Sequence, residues 1–452
     1  MRYAGGVKLL PLLLAALLFG CPPPPPVPMP DAGQTAAQAK ARRAACEFKA
    51  GALPSETLGA DTLLGDNLPF DHIVLVMQEN RSFDHYYSKL SHGGVTVASP
   101  DATNPDPLGA PKKRYHEYRY CIDDVAHGWG ASHRQFNDGG MDGFVITNEP
   151  KGERALGYYD ETDLPFYYAV SRTFAISDMH FSSVMGPTQP NRLYYWAGTS
   201  WGAITNGIAP ERDPAGKVIS TLFTRLNAAK VSWKSYVTDV ASPAVFYGLL
   251  STNLQNFQKV EDGDAGFFAD AAAGRLPSVS IVEGSFTAGV AGGQSDEHPS
   301  SNVQVGQAFA AKIVNAVLTS PQWSKTVLIF LYDEHGGFYD SVPPPKACEP
   351  DAFGPKNDDT RRFDHLGFRT PLIVISPFAK RGYVSHEPVD HTSVTRFVEA
   401  RFGLKALSAR DANAWPLFDM FDFGKPDNSV PVLPAAEIDP VRDALCRADF
   451  PP

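Results

Sequence analysis

Four short runs constrain most strongly what this 452-residue chain can fold into: "HIVLVM" at 72–77, "SVSIVEG" at 278–284, "TVLIFLY" at 326–332 and "PLIVIS" at 371–376. They are rich in Val, Ile and Leu and barely alternate. A strand with one wet face alternates apolar and polar residues, so these runs fit strands covered on both faces. Helical periods lie between them. In "NVQVGQAFAAKIVNAVLTS", Val305, Phe309, Ile313 and Val317 recur every four residues, and "TSVTRFVEARFG" closes on Gly403, a helix stop. The expected fold is α/β, with a mostly parallel central sheet sandwiched by helices. Residues 100–170, rich in Gly, Asp, Tyr and His, read as a loop-heavy cap over a site, and the proline-broken tail from 425 as a surface wrap. No internal repeat is found.

The N-terminus reads as an export signal. "MRYAGGVKLLPLLLAALLFGC" has Arg2 and Lys8, then an apolar run, then Gly20 before Cys21. The run from Leu9 to Phe19 is short for a membrane span. "LLFGC" has the order of a bacterial lipobox, in which Cys21 takes lipid; an ordinary signal cut elsewhere is the alternative. "PPPPPVPMPDAG" follows, an extended, stiff spacer. The expected organisation is a lipoprotein-type signal at 1–21, a linker at 22–50 and one catalytic domain at 51–452. The protein is thus expected to be exported, and either membrane-anchored or secreted.

Forty basic against fifty acidic side chains leave a formal charge of −10. That argues against nucleic acid as a partner, which demands a basic surface. With Cys21 lipidated, Cys46, Cys121, Cys348 and Cys446 remain. In an oxidising compartment they suggest up to two disulfides, with three pairings open. No C-x-x-C pair occurs, so a zinc ribbon or redox motif is not expected.

In open α/β sheets ligands gather at the carboxyl ends of strands. Two strand ends here are acidic: Glu79 and Asn80 follow the first run, and Asp333 and Glu334 the third. These are hard oxygen donors, suited to Ca2+, Mg2+ or Mn2+. One such pair alone would read as a solvated loop. In "FSSVMGPTQPNRLYYWAGTS", Gly186-Pro187-Thr188 is a tight turn before a helical run. A hydroxyl there meets free N–H groups and the positive end of the helix dipole, which favour phosphate. Thr188 can attack if a metal lowers its pKa, although a lone Thr in that place is more often a cap.

Together "ENRSFDHYY", "GPTQPNRLY", "SDEHPS" and "YDEHGGFYDSVPPP" resemble, in order, the motifs of the phosphoesterase family. That family includes non-specific phospholipases C and acid phosphatases, within the alkaline-phosphatase-like superfamily. The resemblance implies one divalent cation, Ca2+ or Mg2+, held by Glu79, Asn80, Asp333 and Glu334, with Thr188 as the metal-bound nucleophile. It implies His298 and His127 near the phosphate or leaving group, and Asn191 and Arg192 supporting the nucleophile's turn. A Thr in this motif is similar to the phospholipase branch; the acid phosphatases tend to carry Ser. The implied activity is phospholipase C-like hydrolysis of phosphate esters, possible phospholipids included, through a Thr188 phospho-enzyme. Alternatives are a phosphatase of small monoesters, or a binding lipoprotein without turnover. No C-x-P-x-R sulfatase motif is present. The sequence departs from relatives in having Ser341 where many carry His, and no long β-rich extension follows the last motif.

Other residues have blander readings. His85 and Asp84 brace the following helix, His335 orients a neighbouring ligand, and His72 is a core or edge residue. His391 either reaches the site or caps a helix. The pairs Tyr158-Tyr159, Tyr167-Tyr168 and Tyr194-Tyr195-Trp196 read mainly as packing, with a choline-binding wall as the sharper alternative. Asn80 lies in a glycosylation sequon, discounted in favour of the metal.

Overall fold

The computed structural model describes residues 33–287 and 294–450. The signal segment, Cys21 and nearly all of the proline spacer lie outside the described residues.

Eight strands form the central sheet: β1 (His72–Gln78), β2 (Ala175–Ser177), β3 (Trp233–Val237), β4 (Phe257–Lys259), β5 (Val279–Glu283), β6 (Thr326–Tyr332), β7 (Leu372–Ile375) and β8 (Tyr383–Ser385). Their order is β8-β2-β7-β6-β1-β5-β3-β4. The four apolar runs are β1, β5, β6 and β7, and β6 is buried at all seven positions. Successive side chains point to opposite faces, so burial throughout means that both faces are covered. β1 pairs in parallel with β5 and β6. β7 runs antiparallel to both its neighbours. Its burial matches that of the parallel strands, and an apolar pattern carries no information on direction.

The helices used below are α1 (Ala36–Ala44), α2 (Phe83–Tyr87), α3 (Pro165–Thr173), α4 (Thr188–Ala197), α5 (Val303–Leu318), α6 (His391–Phe402) and α7 (Pro440–Asp449). α6 starts with Asp390 accepting from the Thr392 amide, and stops at Gly403 in the left-handed region, φ 63°. The expected stripe holds in the second half of α5, where Ile313 and Val317 are buried, and loosens in the first turns. Val305 and Phe309 are half-buried, whereas Gly306, Gln307 and Ala310 face inward. The reason is a close approach: a Cβ on Gly306 would lie 2.0 Å from Glu297 Cγ.

The stretch expected to be linker as far as residue 50 contains α1. Thr35 and Gln38 form a capping box at its start. Arg43 is buried and donates to the Thr57 carbonyl at 2.6 Å. Cys46 is bonded to Cys348, and Cys121 to Cys446, the pairing that the sequence left open. Both bonds fit an oxidising compartment. Residues 100–170 hold two small two-stranded sheets, Thr103–Pro105 with Pro111–Lys113 and Tyr115–His116 with Gly157–Tyr158, joined by loops and short helices. The tail ends in α7, of which Cys446 alone is buried. Among the described residues no helix is long and apolar enough to cross a membrane.

Candidate active site

β1 and β6 are neighbours with Gln78 opposite Tyr332. The residues that follow, Glu79-Asn80 and Asp333-Glu334, therefore leave the sheet side by side. Asp333 Oδ1 accepts from the amides of Asn80 at 3.1 Å and Glu334 at 2.7 Å. Asn80 is left-handed at φ 62°, rare for a residue with a Cβ. Gly336 passes so close that a Cβ on it would lie 2.4 Å from the Asn80 carbonyl oxygen. The glycine after Asp-Glu-His thus packs one acidic turn against the other.

Arg192 binds the carboxylates together. Its guanidinium donates to Glu79 at 3.0 Å, Glu283 at 3.0 Å and Asp333 at 3.3 Å, and all four groups are buried. Three carboxylates around one guanidinium leave net negative charge in a low-dielectric place, which is costly without a further cation.

Thr188 opens α4 one turn before Arg192, so the two share a helix face. The cap position is Pro187, so Thr188 is not the helix cap. The turn before it is locked by Asn191, whose amide donates to the carbonyls of Gly186 at 2.9 Å and Pro187 at 3.2 Å and accepts from the Val184 amide at 3.0 Å. The helix start offers phosphate fewer donors than expected. The Gln189 amide is taken by Asn206 at 2.8 Å, and Pro190 has no N–H. Replacing Asn191 by Ala frees the turn. The expected result is kcat lower by about 100-fold and stability lower by about 2 kcal/mol from the unpaired buried groups, read by steady-state kinetics and urea unfolding.

His127 and His298 stand at the half-buried edge, with ring centroids 5.8 Å apart. His127 Nδ1 lies 2.6 Å from the Val125 carbonyl, and His298 Nδ1 bonds the Pro299 carbonyl. Each ring therefore donates from Nδ1, and His127 Nε2 faces the Asn80 side-chain amide at 3.5 Å. His127 Nε2 is 3.6 Å from Glu334 Oε1. Burial pulls His298 below the usual imidazole range, with Asp124 acting in the other direction. An open cleft of about 530 Å3 is lined by Asp124, His127, Thr147, Asn148, Pro187 and Asn206. A larger cavity of about 800 Å3, between α1 and residues 345–348 and 387–390, contains none of the residues that carry chemistry.

The residues fit a hard cation. Asn80 Oδ1 and Glu334 Oε1 are buried and without a hydrogen-bond partner, and such orphans call for a ligand. Burial, and next the Asp333 charge, push Glu79 and Glu334 well above the ordinary carboxylate range. A divalent ion would hold both ionised. Asp124, His127 and His298 form a second group with potential ligand atoms within 4.8 Å of one another.

The sequence profile of the Phosphoesterase family matches residues 70–405. The chain belongs to the phosphoesterase family. Phospholipase C B of Mycobacterium tuberculosis is 32% identical over 443 residues, covering 84% of this chain and 82% of that protein. Non-specific phospholipase C1 of Arabidopsis thaliana is 31% identical over 375 residues, covering 77% and 69%. A solved structure from Vibrio parahaemolyticus, described as a protein in the alkaline phosphatase superfamily, covers 91% of this chain and 92% of that one at 10% identity and TM-score 0.38. The chain is accordingly a hydrolase acting on phosphate esters.

Several residues of this phosphoesterase were not singled out by its sequence. Glu283 ends β5 as Glu79 follows β1, and the same strand-end logic would have found it. Asn206 and Gln135 carry no such signal. His335 donates from Nε2 to Gln135 Oε1 at 2.9 Å and has Nδ1 3.2 Å from Glu334 Oε2. His85 stacks on Phe338 and bonds the Gly157 carbonyl, a brace. His391 lies behind the site, bonded to the Tyr332 carbonyl and close to Ser183 Oγ. His72, at the start of β1, is near the Pro277 carbonyl. Ser341 donates to Asp84, which also binds Arg369. Of the paired aromatics, Tyr158 alone is half-exposed and the rest are buried, which is packing rather than a pocket wall.

Proposed function

We propose that this phosphoesterase acts in the manner of a phospholipase C, through a phospho-enzyme on Thr188. The observation that carries the reading is Thr188 at the start of α4, one turn before the arginine that gathers Glu79 and Asp333. Thr188 loses its hydroxyl proton to solvent, Oγ1 attacks phosphorus, and the bond from phosphorus to the leaving alcohol breaks. His298 gives the leaving oxygen its proton. Water then attacks the phosphothreonine and frees Thr188, releasing a phosphate monoester from a diester, or phosphate from a monoester. Glu79, Asn80, Asp333 and Glu334 would hold one divalent cation, Ca2+ or Mg2+, which lowers the hydroxyl pKa and offsets the growing charge. Asn191 fixes the turn, and Arg192 keeps the carboxylates gathered.

Purified mature protein should cleave p-nitrophenyl phosphorylcholine and lose that activity to a chelator. Preference for p-nitrophenyl phosphate would favour the monoesterase reading instead. The proton donor must be charged, and burial lowers the His298 pKa. Turnover should therefore fall as pH rises through an apparent pKa on the acid side of the usual imidazole value, and His298→Asn should erase that limb. A profile flat across the acid range would remove His298 from the role.

The finer location belongs to the same reading: lipid on Cys21 holds the domain at a membrane, close to phospholipid. Cys21→Ala should release soluble protein or block processing. Mass spectrometry finding an unmodified N-terminus downstream of Cys21 would refute the anchor.

A further inference from the structure

We infer that Glu297 is a positioning residue, whose buried carboxylate gathers tyrosines from separate motifs and fixes where His298 stands; this rests on the role of His298 proposed above. Glu297 is fully buried, and no step of the reaction uses it. Its Oε2 accepts from the hydroxyls of Tyr86 at 2.5 Å and Tyr332 at 2.7 Å. Its Oε1 accepts from the Tyr167 hydroxyl and from Gln78 Nε2 at 3.3 Å. An ionised carboxylate has about four lone-pair sites, and this one has four donors.

The donors occupy particular places in the fold. Gln78 immediately precedes Glu79, and Tyr332 immediately precedes Asp333. Tyr86 belongs to α2, just after the Glu79-Asn80-Arg81 turn, and Tyr167 belongs to α3. One carboxylate is thus tied to both strands at the points where they deliver their acidic pairs. Its own backbone leads directly into His298. Arg81 secures that backbone by donating to the Glu297 carbonyl. Glu297 also sits at φ 73°, a conformation that side-chain-bearing residues rarely adopt. Such outliers persist where the surroundings over-determine them, and they cluster at functional sites. α5 contributes by presenting Gly306, where a Cβ would collide with Glu297 Cγ.

Glu297→Gln tests the assignment. Gln keeps the volume, but its amide nitrogen cannot accept from phenols. The expected result is kcat lower by about 100-fold with KM within about threefold of wild type, per folded molecule. Tyr86→Phe removes one donor without burying a new polar group, and should lower kcat by about tenfold. The His298 ring resonances, identified by their loss in His298→Gln, should move in both variants while those of His72 stay. If Glu297→Gln does not fold, Tyr86→Phe decides. Wild-type kcat in the folded variants, with only a lower urea midpoint, would make Glu297 a stabilising core residue and overturn the proposal. Unmoved His298 resonances would overturn it whatever the activity. Wild-type protein inactive on both aryl esters would instead count against the phosphoesterase mechanism, and the resonances would still test the positioning.

Discussion

Thr188→Val is expected to yield a folded protein whose turnover is lower by on the order of 10^4-fold or more, because it removes the proposed nucleophile. Val matches Thr in shape and replaces the hydroxyl with a methyl. The helix does not lose its cap, since Pro187 holds that position and the Gln189 amide is bound by Asn206. Stability should therefore stay within about 1 kcal/mol of wild type. Thr188→Ser keeps the oxygen and loses the methyl that restricts χ1, so it retains measurable activity at a lower rate. Acid quenching during turnover should trap phosphate on Thr188 and on no other residue. Normal turnover by Thr188→Val would make water the nucleophile and end the covalent mechanism.

Asp333→Ala is expected to abolish bound cation and turnover together. Asp333 Oδ1 orients the Asn80 and Glu334 turns through their amides, and Oδ2 faces Arg192. Removing it disorders both halves of the oxygen set and leaves a buried guanidinium with two partners instead of three. Loss of one partner from a buried charge network costs about 3–5 kcal/mol. Asp333→Asn, which keeps the volume, separates the two effects: it should unfold closer to wild type yet still lack metal by elemental analysis. Full activity in either variant, or after exhaustive chelation, would sink the cation assignment.

Most of the candidate site was legible because it lies at the ends of strands whose apolar runs are unmistakable. Glu79-Asn80 and Asp333-Glu334 each break such a run with oxygen donors, and Gly186-Pro187-Thr188 announces a turn before a helix. What escaped depends on neighbours distant in the chain. Glu283 matters because β5 lies next to β1, and no local pattern states that adjacency. Glu297 meets Tyr86 across 211 residues and Tyr167 across 130. Of the stripe on α5, Ile313 and Val317 are buried but Val305 and Phe309 only half so, because apolar periodicity does not weigh a glycine needed for close approach. α1 was hidden behind a proline run, and its attachment through Arg43 and Cys46 is tertiary. β7 reads like its parallel neighbours because burial, not direction, sets composition.

The two sulfur bridges interleave along the chain: Cys46 joins Cys348, and Cys121 joins Cys446. A polypeptide delivered from its N-terminal end presents Cys46 and Cys121 to an oxidant before either correct partner has arrived. With Cys21 blocked by lipid as proposed, the first bond available is therefore a wrong one, closing a loop between those two thiols. Reaching the native pairs then demands that this bond be attacked and exchanged, at a rate set by thiolate access and by any isomerase present. Yield during expression should accordingly depend more on the capacity to reshuffle sulfur than on the strength of the oxidant.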